Sequence, residues 1–269
     1  MPSPAPPRLT SLTNPRVAAA VALRDRRDRE RTGLTLIDGA RELRRALDRD
    51  VQVSEVFVCE PLLAGPDARA ALDALRDRGA TLISTSEAVF AKVAFGERAE
   101  GLVAVARIPS TALDSLTLAD DALVVVLEGV EKPGNLGAVL RSADGAGADA
   151  VIAASSGTDL FNPNTIRASA GTVFALPLAA APTSDVVTWL REHDVRIVAA
   201  RVDAAVLYTE TDLTGRLAIA LGAEADGLSD AWTGDDIVSV RLPMLGVADS
   251  LNVSVSAAVL LYESRRQRG

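Results

Sequence analysis

The chain has 269 residues, 48% hydrophobic but only 3% aromatic, so it can build a sizeable core of Ala, Val and Leu in one large domain or two ordinary ones. A single cysteine, Cys59, rules out an internal disulfide; with a single histidine, His193, it also rules out a zinc site of ordinary Cys/His type. The net charge of −8 argues, read globally, against a nucleic-acid partner, yet the first fifty residues hold 11 Arg against 7 acids and residues 106–269 hold 12 basic against 21 acidic residues. Chemistry in this chain must therefore run on Arg, Asn, Ser and carboxylates, or on a cofactor.

No run of about 18 apolar residues reads as a transmembrane helix. The opening MPSPAPPRLTSLTNPR has no apolar core of a secretory signal and reads as a flexible lead-in to a cytoplasmic protein. Asn14-Pro15 then starts a helix over Arg16 to Arg31, because Pro suits a first helical turn. Its stretch VALRDRRDRERTG interleaves Arg with acids, as a solvated helix does; the same arginines would also suit phosphates. A small α/β domain follows: strands Leu34–Asp38, Val53–Val58, Thr81–Ser84 and Gly101–Arg107, and helices Ala40–Leu47, Asp67–Arg78 and Glu87–Ala94. Ile108–Asp121, rich in Pro, Ser and Thr, reads as a linker.

Beyond it the chain alternates apolar strands (Leu123–Leu127, Ala150–Ala154, Phe174–Leu178, Arg196–Ala200, Leu217–Leu221, Ile237–Arg241) with helices Leu136–Gly147 and Ser184–His193, the latter capped by Thr183 or Ser184. A final helix runs from Val253, where Val253, Ala257, Leu260 and Leu261 recur at helical spacing. His193 closes a helix, where a cation favours the dipole. Near-continuous apolar strands alternating with helices predict a parallel sheet covered on both faces, with ligands beyond the strands' carboxyl ends.

Three loops after strands carry the informative residues. Leu127–Asp149 is Gly-rich but has neither the dinucleotide nor the P-loop spacing; it offers Asn135 at a helix start and Arg141 six residues on. Asn135 also suits a helix cap, and Arg141 the surface. Ala220–Trp232 offers Gly222, whose lack of Cβ lets a backbone approach a ligand, and Glu224 just past a strand; a plain turn capped by Ser229 fits as well. Pro243–Asn252 places Met244, Gly246, Ser250, Leu251 and Asn252 before the last helix, where Ser and Asn are also ordinary N-caps.

Taken together, N-x-G-x-x-x-R, G-x-E-x-x-G-L and P-M-x-G-x-x-x-S-L-N-V-S, in that order, closely resemble the SpoU (TrmH-like) family of RNA ribose 2′-O-methyltransferases. FNPNTIRASAGTVFALP is a fourth family-like stretch. SLTNPRV and LIDGARELRRAL resemble the ribosomal-protein-like substrate-binding domain of rRNA-directed members. The one departure noticed is Leu242, where Ile is common.

The resemblance implies an α/β fold with two parts: an RNA-binding domain over 1–107 and, after the linker 108–121, a trefoil-knotted parallel-sheet domain over 122–269. It implies S-adenosylmethionine as cofactor, rRNA (23S above all) as substrate, a homodimer through the C-terminal domain, and neither metal nor membrane. It puts Arg141 first among catalytic residues, with Asn135, Glu224, Ser250 and Asn252 beside it. Because a guanidinium holds its proton in proteins, clamping a phosphate that itself accepts the proton suits Arg141 better than acting as base. Ala199, Ala200, Leu221, Gly222, Leu242, Met244 and Leu251 would form the cofactor site, and Arg16, Arg24, Arg26, Arg27 and Arg41 would contact RNA. Relatives from GC-rich bacteria modify 23S rRNA against ribosome-targeting antibiotics such as thiostrepton and orthosomycins. Heavy Ala and only two lysines, Lys92 and Lys132, against 26 arginines suggest such a genome and the same role. A tRNA target, a non-catalytic rRNA-binding protein and a nucleotide-binding oxidoreductase are the competing readings, and the last lacks its glycine loop.

Overall fold

Asn14 opens the first helix, α1 (Pro15–Ala22), by accepting a hydrogen bond from the Arg16 amide at 2.9 Å, with Pro15 in the first turn. The computed structural model describes residues 8–63, 65–95, 100–155 and 157–269. Within them the lead-in is fixed from Arg8 onward: the Leu9 amide donates to the Ser84 carbonyl at 2.7 Å, and the Ser86 amide donates to that of Leu9 at 2.9 Å. Residues 1–7 of the expected lead-in lie outside the described residues.

The Arg-dense stretch expected as one helix is two. Asp25 accepts from the Arg27 amide at 2.8 Å and starts α2 (Arg26–Thr32). The break between the helices leaves backbone carbonyls to satisfy. Arg29, 2% exposed, turns inward and its Nη1 donates to the carbonyls of Leu23 and Arg24, at 2.8 Å each. The other arginines of the stretch stay at the surface, apart from this one buried group.

β1 (Leu34–Asp38), α3 (Ala40–Leu47), β2 (Val53–Val58), α4 (Gly65–Asp77), β3 (Thr81–Ser84), α5 (Glu87–Val93) and β4 (Leu102–Arg107) follow. Their sheet runs β1-β4-β2-β3, with β4 antiparallel to both neighbours and β2 parallel to β3. Leu36, Phe57, Cys59, Phe90 and Val103 lie in its core.

The second part of the chain forms β5 (Leu123–Leu127), α6 (Pro133–Ala146), β6 (Ala150–Ala154), α7 (Pro163–Ala168), α8 (Thr172–Ala175), β7 (Leu178–Ala181), α9 (Thr183–Glu192) and β8 (Arg196–Ala200). It ends with β9 (Val206–Leu207), β10 (Leu217–Leu221), β11 (Ile237–Arg241) and α10 (Val253–Arg268). All seven strands are parallel, in the order β7-β6-β5-β10-β8-β11-β9. The register aligns Leu221 with Leu127, and Val240 with Ala200. Neighbouring strands therefore end together and their following loops share one edge.

Two elements differ from expectation. Phe174 lies within α8 instead of starting a strand; its ring packs on that of Phe161, 6.0 Å away, and pairing with β6 begins only at Leu178. Two-residue β9 is too short to show a pattern. Thr183 opens α9 but caps nothing: its hydroxyl is bound to Glu128 Oε1 at 2.7 Å and lies 3.1 Å from the Ala154 carbonyl.

The chain falls into two compact units, Met1–Pro109 with Phe161–Phe174, and Ser110–Leu160 with Ala175–Gly269. The sequence division leaves Phe161–Phe174 in the second part; its packing lies in the first. Thr35 Oγ1 donates to the Phe161 carbonyl at 2.7 Å, and Arg45 Nη1 to that of Ala170 at 2.8 Å. Gly171, at φ +83°, lies so close to α3 that a Cβ would come within 2.9 Å of Glu42 Cα. In the second unit α10 packs along α6 and is tied to the 211–215 segment. Ser264 Oγ donates to the Leu213 carbonyl at 2.7 Å, and Gln267 Oε1 accepts from the Leu213 amide at 2.8 Å. Among the described residues no helix is long and apolar enough to cross a membrane.

Removing Arg29 strands two carbonyls inside the break between α1 and α2. Arg29→Ala is expected to cost about 3 kcal/mol in urea unfolding, whereas exposed Arg27→Ala stays within about 0.5 kcal/mol of the parent. Equal costs for the two would contradict the buried role.

Candidate functional site

The loops after β5, β10, β8 and β11, four adjacent strands, meet at the carboxyl edge of the parallel sheet, where ligands of such sheets bind. The loop after β10 folds back tightly. A Cβ on Gly222 would lie 2.1 Å from the Gly227 carbonyl carbon, so the loop's own backbone requires glycine there. This fold-back brings Glu224 to the starts of α6 and α10.

Glu224 gathers three donors. Lys132 Nζ lies 2.6 Å from Oε2; Asn135 Nδ2 and Asn252 Nδ2 donate to Oε1 at 3.0 and 2.5 Å. Asn252 Nδ2 also lies 3.2 Å from Asn135 Oδ1. The Lys132 ammonium first, then the two amides, hold the Glu224 carboxyl below the usual carboxylate range. Asn252 is also a true helix cap: its Oδ1 accepts from the Ser254 amide at 2.9 Å and hydroxyl at 2.6 Å. Both ends of one side chain are thus used, one to start α10 and one to hold Glu224. Asn135 does not cap α6; it sits inside the first turn, after Lys132 at the cap position.

Arg141 is not part of this cluster. Six residues beyond Asn135, it lies about 9 Å further along α6 and about 1.7 turns round it. It is exposed, and its guanidinium has no partner among the described residues. Glu224 therefore holds Asn252 and Asn135, not Arg141. Ser250 does not reach Glu224 either; it lines the neighbouring cavity.

That cavity, about 560 Å³, is bounded by the loops after β8, β10 and β11. Ala200, Leu221, Gly222, Leu242, Met244 and Leu251 line it together. Ala199 does not. Successive strand residues face opposite ways, and Ala199 is fully buried in the core with Trp189, Leu190 and Trp232. A second cavity, about 450 Å³, also has Glu224 in its lining, with Glu128, Glu131, Lys132, Asn135 and Ser229 among others. Glu128, 9% exposed at the end of β5, accepts from the Ser229 amide at 2.7 Å and hydroxyl at 2.8 Å, which ties the β5 and β10 loops together. Ser229 is thus a loop tie rather than a side-chain cap.

Lys132 and Glu128 were missed from the sequence. Lys132 had one available signal: it is one of two lysines in a chain of 26 arginines. Glu128 gave none, since its partners come from distant loops. His193 is a packing residue: its ring stacks on Trp189 at 4.2 Å, and Nδ1 lies 2.8 Å from the Trp189 carbonyl.

The expected RNA-contacting arginines lie in the first unit. Arg24 is committed: Nη2 donates to the carbonyls of Lys92, Val93 and Ala94 at 2.8, 3.1 and 2.9 Å, closing the end of α5. Arg16 pairs with Glu55 at 3.5 Å, Arg26 with Glu30 at 2.7 Å and Arg41 with Glu42 at 2.9 Å, all through exposed guanidiniums. Arg27 is exposed with no side-chain partner among the described residues.

The profile of the SpoU rRNA Methylase family matches residues 122–262, and that of the MRM3-like substrate binding domain matches residues 14–104. The chain is 35% identical over 182 residues to the 23S rRNA (uridine(2479)-2′-O)-methyltransferase of Streptomyces viridochromogenes, spanning 64% of this chain and 63% of that relative. Among solved structures it resembles an RNA 2′-O ribose methyltransferase, at 45% identity and TM-score 0.85 over 97% of this chain and 99% of that one. It also resembles the AdoMet-bound rRNA methyltransferase of Sinorhizobium meliloti, at 29% identity and TM-score 0.88 over 97% of each.

A carboxyl held below its ordinary value stabilises the fold above its unfolded pKa of about 4.3, and that contribution is lost only as pH falls through the lower folded value. The melting-temperature difference between the parent and Glu224→Gln is therefore expected to be constant above about pH 5 and to shrink below it. Lys132→Met removes the largest cause of the lowered value, so in its background the contribution is smaller and its loss is complete at a higher pH. An unmoved profile would mean that Lys132 does not hold Glu224.

Proposed function

The chain belongs to the SpoU rRNA methylase family, and we propose that it transfers the methyl group of S-adenosylmethionine to a ribose 2′-hydroxyl of rRNA, 23S rRNA in particular. The single observation that carries this reading is the junction of Asn135, Glu224 and Asn252, drawn from all three motif loops, on the rim of a 560 Å³ cavity. Support comes from the 23S rRNA enzyme it resembles and from the AdoMet-bound structure that matches it over nearly its full length.

The cavity fits the cofactor. Leu221, Leu242, Met244 and Leu251 give an apolar wall, while backbone groups of three loops and several carboxylates offer polar contacts suited to an adenosyl sulfonium cation. When bound, the cofactor supplies an electrophilic methyl and needs no metal. Gly222, Leu242 and Leu251 would hold the adenine through main-chain groups, and Ala200 and Met244 would close the pocket to water. Asn135 and Asn252, fixed by Glu224, would orient the ribose. Arg141 would clamp the phosphate beside that ribose, and a phosphate oxygen would accept the hydroxyl proton. Ser250 would bind near the reacting sugar.

Arg141 stands away from the Glu224 junction of its own chain, which supports a homodimer in which Arg141 of one copy serves the junction of the other. The exposed arginines of the first unit, Arg27 above all, would grip RNA phosphates; Arg24 is already committed to α5. The reading places the protein with the ribosomes of the cytoplasm, and the threaded C-terminal segment of the family belongs to the same proposal. Protection against a ribosome-targeting antibiotic is a further part of it, and an unchanged susceptibility of a sensitive host expressing the gene would remove that part.

Labelled S-adenosylmethionine offered with separated 16S, 23S and transfer RNA, then digested to nucleosides, is expected to leave label in a 2′-O-methylnucleoside of 23S rRNA. Label only in transfer RNA would overturn the substrate. Arg141→Ala is expected to lower transfer by at least about 100-fold with cofactor binding intact. Mixed and re-assembled with a Glu224→Ala chain, it is expected to recover part of the activity, because one site of each heterodimer is then whole. No recovery from the mixture would sink the shared site.

A further inference from the structure

The side chains lining the larger cavity include four carboxylates, those of Asp203, Glu224, Asp226 and Asp249, and a single cation, Arg201. Arg201 directly follows β8. Its amide donates to the Val240 carbonyl at 2.9 Å, so its backbone is fixed to the neighbouring strand. Its side chain is only 22% exposed. Yet its guanidinium is weakly engaged: Nε lies 3.3 Å from Asp203 Oδ1 and Nη1 3.4 Å from the Leu228 carbonyl. A guanidinium carries five N–H donors in a planar fork suited to a carboxylate; two of these make the long contacts above, and the residue lines the cavity. A cation held this way among four anions suits a ligand that is cationic overall but carries one carboxylate.

We propose that Arg201 binds the α-carboxylate of the cofactor's methionine tail and sets the cavity's preference for ligands that carry it. The proposal rests on the S-adenosylmethionine reading. It assigns Arg201 a role in binding specificity that none of the three motif loops supplies. Asp203 pairs with Arg201 and Glu224 with Lys132, so Asp226 and Asp249 suit the sulfonium and ammonium, while Arg201 takes the carboxylate.

Decarboxylated S-adenosylmethionine gives a signed test. It lacks the carboxylate and carries one more net positive charge, so the acids alone would favour it. Isothermal titration of the full chain with each ligand needs no RNA and no turnover. The parent is expected to bind S-adenosylmethionine the more tightly. Arg201→Ala is expected to lose about 10- to 100-fold for S-adenosylmethionine, the scale of a charged hydrogen bond, and to bind the decarboxylated ligand as well as before or better, reversing the preference. Arg201→Lys is expected to keep part of the discrimination. Retained binding of the decarboxylated ligand shows in the same titration that the variant is folded. Equal weakening for both ligands, or unchanged affinity for S-adenosylmethionine, overturns the role of Arg201 and leaves the cofactor reading standing. A parent that binds neither ligand overturns both.

Discussion

One carboxylate holds the site together. Glu224 accepts from Lys132 and Asn135 at the start of α6 and from Asn252 at the start of α10. Helix starts carry unsatisfied N–H groups and the positive end of the dipole, so an anion between two of them is favoured before any side chain is counted. The three donors then fix it. Glu224 reaches this point only because the loop after β10 folds back on Gly227, where Gly222 leaves no room for a Cβ.

The rest of the second unit keeps those helix starts in place. The parallel sheet ends its central strands in register, so the loops after β5, β8, β10 and β11 emerge at one edge. Glu128 ties the first of these loops to Ser229 in the third. At its far end α10 is anchored by Ser264 and Gln267 to the segment before β10, and by Arg268 to the Gly215 carbonyl at 2.6 Å. Asn252 can then serve as cap and as donor together, because the helix it starts is fixed at both ends.

Much of this was legible in the chain. Apolar runs bounded by turn residues gave the strands from Leu34 to Arg241 with few changes, because near-continuous Val, Ile, Leu and Ala admit little else in an α/β pattern. The motif loops were legible too, and the structure joins Asn135, Glu224 and Asn252 while leaving Arg141 and Ser250 apart. What failed was of another kind. The α1–α2 break depends on Arg29 turning inward, Phe174 follows Phe161 into the first unit, and Ala199 faces the core because a neighbour in a strand must point the other way. Lys132 was not singled out, because its partner Glu224 lies 92 positions away.

The sequence by itself determined the alternation of elements, the parallel sheet and the motif residues, since local periodicity and residue type suffice for these. Only the tertiary structure decided which of those residues meet. Asn135 and Asn252 are 117 positions apart, and no local pattern records a contact that depends on strand order and on one folded-back loop. It likewise decided that Arg24 closes the end of α5, because the carbonyls it satisfies lie 68 to 70 residues away.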